Sequence, residues 1–343
     1  MKPFVDDIGS YPLPSSVNRH KFEEAYKRAR KGIVSGKNLK EDVFVCENFY
    51  NVVVDSFEKK LEAGLDVVTY PQHYDMYRQF TEVIHAAMEK GTYIVDEETA
   101  VIPEVYVIKQ EAAGLYEKFG EKIALRVCVT GPMELYLKEV GTTGYGDVLL
   151  MFAETVRRFA KNAILDSKHV RTEVVALDEP SFGFTDINAD RDILIEVLER
   201  AFGFSGVIRQ IHTHSPSRIS DLLQVRNLDV VSIEYASSPQ NIERISKRIL
   251  DEADKHIRVG IARTDINNLT AELYEKGVTT PRPEQLVEDE ETIIRRFKKA
   301  FEKFGERLAF TGPDCGLGGW PTPESAQLLL KRTVNAVKKG RSL

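Results

Sequence analysis

Eight short runs of β-branched and aliphatic residues recur along the chain, and stretches of helical period separate nearly all of them. The runs are Phe4-Val5 leading to Ile8-Gly9-Ser10, Leu65 to Thr69, Ile123 to Thr130 and Glu173 to Leu177, then Val207 to His214, Val230 to Glu234, Ile257 to Ile261 and Leu308 to Phe310. Apolar residues at a period of 3.6 fill 42–63, 148–167, 192–202, 219–225, 242–255, 289–304 and 323–338. Regular strand–helix alternation with eight strands predicts an α/β chain folded as a (β/α)8 TIM barrel. The stretch from Tyr93 to Val107 breaks the rhythm and reads as an extra hairpin inserted between strands two and three. No Pro/Gly/Ser-rich linker and no internal repeat divides the sequence, so residues 1–343 are expected to form one catalytic barrel domain.

Composition narrows the classes. A chain of 343 residues with 42% apolar residues can bury one large barrel core. A net charge of −6, with scattered Lys and Arg, argues against a nucleic-acid surface. No apolar run has the length of a membrane helix, and Met1-Lys-Pro-Phe4 lacks the apolar segment of a secretory signal. Three cysteines, Cys46, Cys128 and Cys315, make no disulfide framework, so the expected compartment is the reducing cytoplasm. Cys46, on an apolar helix face, and Cys128, in mid-strand, read as core residues.

In barrel enzymes the chemistry sits at the C-terminal ends of the strands. Here those ends carry Gly9-Ser10, Pro71-Gln72-His73, Thr130-Gly131-Pro132, Asp178-Glu179-Pro180, His212-Thr213-His214, Glu234, Arg263-Thr264-Asp265 and Asp314-Cys315. His212 and His214 are two apart on a strand and face the same side. Imidazole, carboxylate and thiol at the ends of strands five, six and eight suit zinc, a borderline-soft ion. Such an ion can hold a substrate thiol as thiolate, the nucleophile that a methyl transfer needs.

The segments Asp7-Ile8-Gly9-Ser10-Tyr11-Pro12, Val129-Thr130-Gly131-Pro132 and Leu177-Asp178-Glu179-Pro180 extend the pattern. So do Gln210-Ile211-His212-Thr213-His214, Val231 to Glu234, Pro313 to Leu317 and Gly319-Trp320-Pro321. Together, and in this order, they resemble the catalytic C-terminal barrel of the cobalamin-independent methionine synthase family. The resemblance implies a zinc-dependent methyltransferase of methionine biosynthesis that methylates homocysteine. It implies His214, Glu234 and Cys315 as zinc ligands. It also implies Ile8, Gly9, Ser10 and Asp178 as the pocket for the amino-acid part of homocysteine, with Asp178 and Cys315 central to catalysis.

This sequence departs from the family pattern in four places. The family reads His-Met-Cys at strand five, its Cys being a zinc ligand, whereas His214 is followed by Ser215-Pro216. His212 or water then stands as the alternative fourth ligand. After strand two the family has Asp-Gly-Glu, the Glu pairing with the substrate ammonium, and this chain has Tyr70-Pro71-Gln72. Asn267 stands where the family places a His that protonates the folate leaving group. The chain also has no room for the family's second, N-terminal barrel. The last two departures favour a methylcorrinoid, free or on a corrinoid protein, or a methyl-pterin as donor over methyl-folate triglutamate. Two alternatives remain at this stage: a uroporphyrinogen-decarboxylase-like zinc methyltransferase for another small thiol, and a non-catalytic homologue that binds a methyl carrier.

Overall fold

The computed structural model describes residues 2–342. Its eight strands are β1 (Phe4–Val5), β2 (Val68–Thr69), β3 (Ile123–Thr130), β4 (Val170–Asp178), β5 (Ile208–Thr213), β6 (Val230–Ile233), β7 (His256–Ala262) and β8 (Leu308–Pro313). All ladders are parallel, in the order β1-β8-β7-β6-β5-β4-β3-β2. The sheet closes where β1 meets β2, through the parallel bridges Asp6↔Val67 and Ser10↔Gln72. The amides of Asp66 and Val67 both donate to the Val5 carbonyl there. The chain is therefore a (β/α)8 barrel.

Period-two alternation along the strands sorts the barrel interior into layers. Val67, Val174, Val230 and Phe310, from the even-numbered strands or their immediate approaches, form an apolar cluster at the base. The next layer comes from the odd-numbered strands and is charged. Arg126 of β3 and Arg258 of β7 are fully buried with Asp6, which follows β1, and Gln210 of β5. Arg258 Nε donates to Asp6 Oδ1 at 2.7 Å, and Arg126 Nε lies 3.7 Å from Asp6 Oδ2. Arg126 also donates from Nε (3.2 Å) and Nη2 (3.0 Å) to Gln210 Oε1. Gly312 makes room for this layer: a Cβ there would strike the Asp6 carbonyl and the Arg258 guanidinium.

Amphipathic helices cover the outside. Glu290–Phe304 buries Ile293, Phe297, Ala300 and Phe304, and packs beside the closing helix Pro323–Ser342. Between β1 and β2 the chain carries a helical elaboration with its own apolar cluster around Phe22, Tyr26, Phe49, Tyr50 and Val53. The helical pattern of 42–63 is split there by one π-turn, Cys46–Tyr50. Cys46 on that turn is half-buried, not a core thiol as its apolar face predicts. The expected hairpin at 93–107 is also overturned. Glu97–Thr99 is a single 3-10 turn, and Pro103 opens a helix that runs to Phe119. Proline at the first helical position lacks only an amide that would be unpaired anyway, and Val105, Ile108, Ala112 and Leu115 then bury one helical face.

Asp6 is the only carboxylate in contact with both Arg258 and Arg126 among the described residues. Replacing it leaves two buried guanidiniums short of a counter-charge. Asp6→Ala is therefore expected to lower the unfolding free energy by about 3–5 kcal/mol, read from the chemical denaturation midpoint at unchanged slope.

Candidate metal centre

Continuing up the strands in steps of two, the layers reach the barrel mouth. The odd strands supply His212 above Gln210 and then His214. The even strands supply Ser232 and then Glu234, while Asp314-Cys315 follows β8 directly. One ligand atom each from His212, His214, Glu234 and Cys315 lies within 4.8 Å of the others. His214 Nε2 is 3.4 Å from Glu234 Oε1 and 3.5 Å from Cys315 Sγ. Donors tetrahedrally bound to one zinc at about 2.0–2.3 Å would stand about 3.3–3.6 Å apart. These two spacings match a tetrahedral pair of donors on one small cation.

Second contacts hold these groups in place. Asn241 Nδ2 donates at 3.0 Å to the carbonyls of both His214 and Glu234, joining the ends of β5 and β6. Asp314 is fully buried and accepts from the amides of Tyr235 (2.9 Å), Ala236 (2.9 Å) and Ser237 (2.6 Å). It thereby ties the loop after Glu234 to the residue preceding Cys315. Gly260 must lack a side chain for this, since a Cβ would overlap the Asp314 carboxylate. Glu179, next to Asp178, accepts from the amides of Met133 (2.9 Å) and Glu134 (2.7 Å) and so caps the helix Pro132–Glu139. Sequence reasoning did not assign Asp314, Asn241 or Glu179 these roles, because an acid or amide at a strand end looks like a ligand as readily as a clamp.

Desolvation dominates the electrostatics of the cluster. Burial pushes the Cys315 thiol up to about 12, helped by the neighbouring Glu234, Asp178 and Asp314. Burial also raises Glu234 to about 8, with Asp314 adding to it. The imidazole of His214 is shifted down by the same desolvation. His214 and Glu234 thus face each other as neutral groups near neutral pH, in a site rich in acids.

The cluster opens into a cavity of about 510 Å³. Ile8, Ser10, Gln72 and Asp178 line it together with His212, His214 and Cys315, and Arg19, Tyr74 and Tyr77 stand among its walls. Gly9 lies between Ile8 and Ser10 at φ +146°, where a Cβ would strike the sulfur of the buried Cys128. Glu234 joins the metal-type cluster but is not part of the cavity wall. Asp178 is raised to about 7 by burial, against the pull of Arg126 and Arg258, and its Oδ1 has no hydrogen-bond partner among the described residues. Gln72 spends its Nε2 on Gln79 Oε1 at 2.7 Å. His73 is structural: Nδ1 meets the Tyr11 carbonyl and Nε2 meets Ser56 Oγ, both at 2.9 Å. Trp320 is buried in the core of the barrel top, and Asn267 is exposed at the start of the helix Ile266–Glu275.

Replacing Asp314 by Asn turns one of its oxygens into a donor facing backbone amides. Asp314→Asn is expected to cost about 2–3 kcal/mol of stability and to displace the loop after Glu234, the first seen in denaturant unfolding and the second in amide chemical shifts of 235–237.

Comparison with protein-family models and with curated protein sequences finds no match. Among solved structures, a B12-independent methionine synthase from Shewanella sp. W3-18-1 in complex with selenomethionine superposes with a TM-score of 0.58 at 15% identity, covering 100% of this chain and 98% of that one. A GH113 beta-1,4-mannanase follows at TM-score 0.45 and 10% identity, over 97% and 99% of the two chains. A family 51 alpha-L-arabinofuranosidase from Bifidobacterium longum follows at 0.38 and 11%, over 92% and 68%. At these identities the likeness to the Shewanella structure establishes the barrel fold.

Proposed function

We propose that the chain, acting over residues 1–343 as one catalytic barrel, is a zinc-dependent methyltransferase that moves a methyl group from a methyl carrier to homocysteine. The observation that carries this reading is the convergence of His214, Glu234 and Cys315 at the mouth of a cavity that Ile8, Ser10 and Asp178 also line. The donor set and its spacing suit zinc. Bound there, zinc would lower the pKa of the substrate thiol so that the thiolate exists near neutral pH.

The chain's own residues supply recognition. Asp178 lines the cavity and its Oδ1 has no hydrogen-bond partner among the described residues, so a substrate ammonium reaching its carboxylate would gain a charged hydrogen bond and hold it ionised. Ser10 Oγ accepts from the Gly318 amide at 3.1 Å, which leaves its hydroxyl hydrogen free to donate to a substrate carboxylate. Gln72, with its Nε2 already committed, can offer the ammonium only its carbonyl oxygen, a neutral acceptor. The acceptor sulfur bonds the methyl carbon as the carrier–methyl bond breaks, and that electron pair leaves with the carrier. Asn267 cannot supply a proton to a leaving group. This favours a carrier that departs as a stable anion, such as a corrinoid, with a methyl-pterin as the second choice.

The test is metal analysis of the purified chain together with transfer of methyl from methylcobalamin to homocysteine. One zinc per chain and thiol-dependent transfer are expected, with both lost in Cys315→Ser; retention of both in that variant overturns the metal assignment. In the same assay Asp178→Asn is expected to raise KM for homocysteine roughly 10–100-fold, as loss of a charged hydrogen bond worth about 1.5–3 kcal/mol would. An unchanged KM removes Asp178 from substrate binding.

A further inference from the structure

We propose that His212 is the fourth protein ligand of the metal, replacing the thiolate that Pro216 removes. The inference rests on the zinc-dependent reading above and adds the composition of the coordination sphere. The centre becomes two imidazoles, one carboxylate and one thiolate, in place of the one imidazole, one carboxylate and two thiolates of the family pattern.

Three observations carry it. His212 is 2% exposed, and its Nε2 is buried with no hydrogen-bond partner among the described residues. A buried polar atom left unmatched costs about 1–3 kcal/mol, so an unmatched nitrogen in a ligand-type cluster asks for an occupant. Second, His212 belongs to the group whose ligand atoms lie within 4.8 Å of one another. Its ring stands 5.4 Å from that of His214 at 67°, an edge-on arrangement in which the two rings do not stack. Third, the other nitrogen is already supported. His212 Nδ1 lies 3.2 Å from Ser232 Oγ, directly across the β5–β6 ladder, and Arg258 Nη1 approaches the same oxygen at 3.4 Å. A histidine that gives Nε2 to a metal keeps its proton on Nδ1 and donates it to a neighbouring acceptor. Ser232 Oγ, with two lone pairs, can take both that proton and the one from Arg258.

Asp178, whose Oδ1 is also unpartnered among the described residues, lies outside the ligand-type cluster. Pro216 has no donor atom, and Ser215 Oγ is occupied by the Ser217 amide at 3.2 Å. Glu134, the acid whose charge reaches His214, is tied to Tyr77 at 2.6 Å and to the Ser181 amide at 2.9 Å.

The decisive measurement is zinc K-edge X-ray absorption on the full chain carrying one equivalent of zinc, with zinc affinity by competition against a chromophoric chelator. Two imidazoles and one sulfur are expected around the ion. His212→Gln should show one imidazole and bind zinc at least about 100-fold more weakly, beyond the usual effect of losing a supporting group. Ser232→Ala should keep both imidazoles while weakening zinc about 10–100-fold, and Ser232→Thr, which keeps the hydroxyl, should recover most of that loss. A wild-type spectrum with a single imidazole overturns the assignment of His212 and leaves the metal reading standing; so does His212→Gln binding as tightly as wild type. A wild-type chain that takes up no zinc overturns both. The wild-type spectrum decides the question even where a variant fails to fold.

Discussion

Asp6, held between two buried arginines, is the contact on which the geometry above it depends. Barrel interiors are ordinarily filled by branched aliphatic side chains. Here an apolar layer of Val67, Val174, Val230 and Phe310 is followed by a charged one. Charges so deep need partners, and the arginines find them, while Asp6 Oδ2 and Gln210 Nε2 make no hydrogen bond among the described residues. Arg126 donates to the carbonyls of Asp7 and Ile8, and Arg258 donates to the Pro313 carbonyl at 2.9 Å and to Ser232 Oγ. The two guanidiniums thus grip the chain at the end of β1, on β6 and at the end of β8. Lys60 continues the floor outward, with Nζ 2.6 Å from Asp7 Oδ2 and bonded to the carbonyls of Gly9 and Thr69. The segment that carries Ile8, Gly9 and Ser10 is positioned by cations on one side, because β1 itself is only two residues long.

The same floor sets the charge of the cavity. Burial raises Asp178 to about 7 against two arginines below it, Glu234 to about 8 and Cys315 to about 12. The two ends of the cavity suit two jobs. Near the floor, a carboxylate poised close to neutrality can ionise when an ammonium arrives. Beneath the rim, thiol and carboxyl stay protonated unless a cation takes the place of their protons. A ligand with its ammonium toward Asp178 and its sulfur toward Cys315 would match both ends.

The barrel and its mouth were legible because they obey simple periods. Strands five to seven announce themselves as β-branched runs, and period two puts His212 and His214 on one face without any knowledge of the fold. The helices 19–34, 78–88 and 103–119 were not legible. Arg19–Val34 is strongly charged, with only Phe22, Ala25, Tyr26 and Ala29 buried, and Pro103 reads as a breaker until it is seen at a helix start. Neither was the charged layer. Arg126 and Arg258 interrupt apolar strands and look like isolated polar positions; that they meet Asp6 depends on barrel closure, which no local pattern states. Among the site residues, types and strand ends could be read, but the clamps Asp314 and Asn241 act on backbone amides and carbonyls, which leave no mark in sequence.

Proline at position 216 goes with an immediate change of chain direction. After β5 the chain turns at once: the Pro216 carbonyl accepts from the Ile219 amide, and a short helix follows over Ile219–Leu222. The proposed ligand set also differs in charge from that of the family pattern. A dication faced by two thiolates and a carboxylate leaves a net negative centre, whereas one thiolate, one carboxylate and two neutral imidazoles leave it balanced. A balanced centre repels an incoming thiolate less and binds it more tightly, at the cost of a less nucleophilic sulfur. Such a trade suits a donor whose methyl group departs easily and disfavours one that must be activated by protonation. The donor preference inferred from Asn267 and the ligand exchange inferred from His212 therefore point in one direction, although one follows β7 and the other sits on β5.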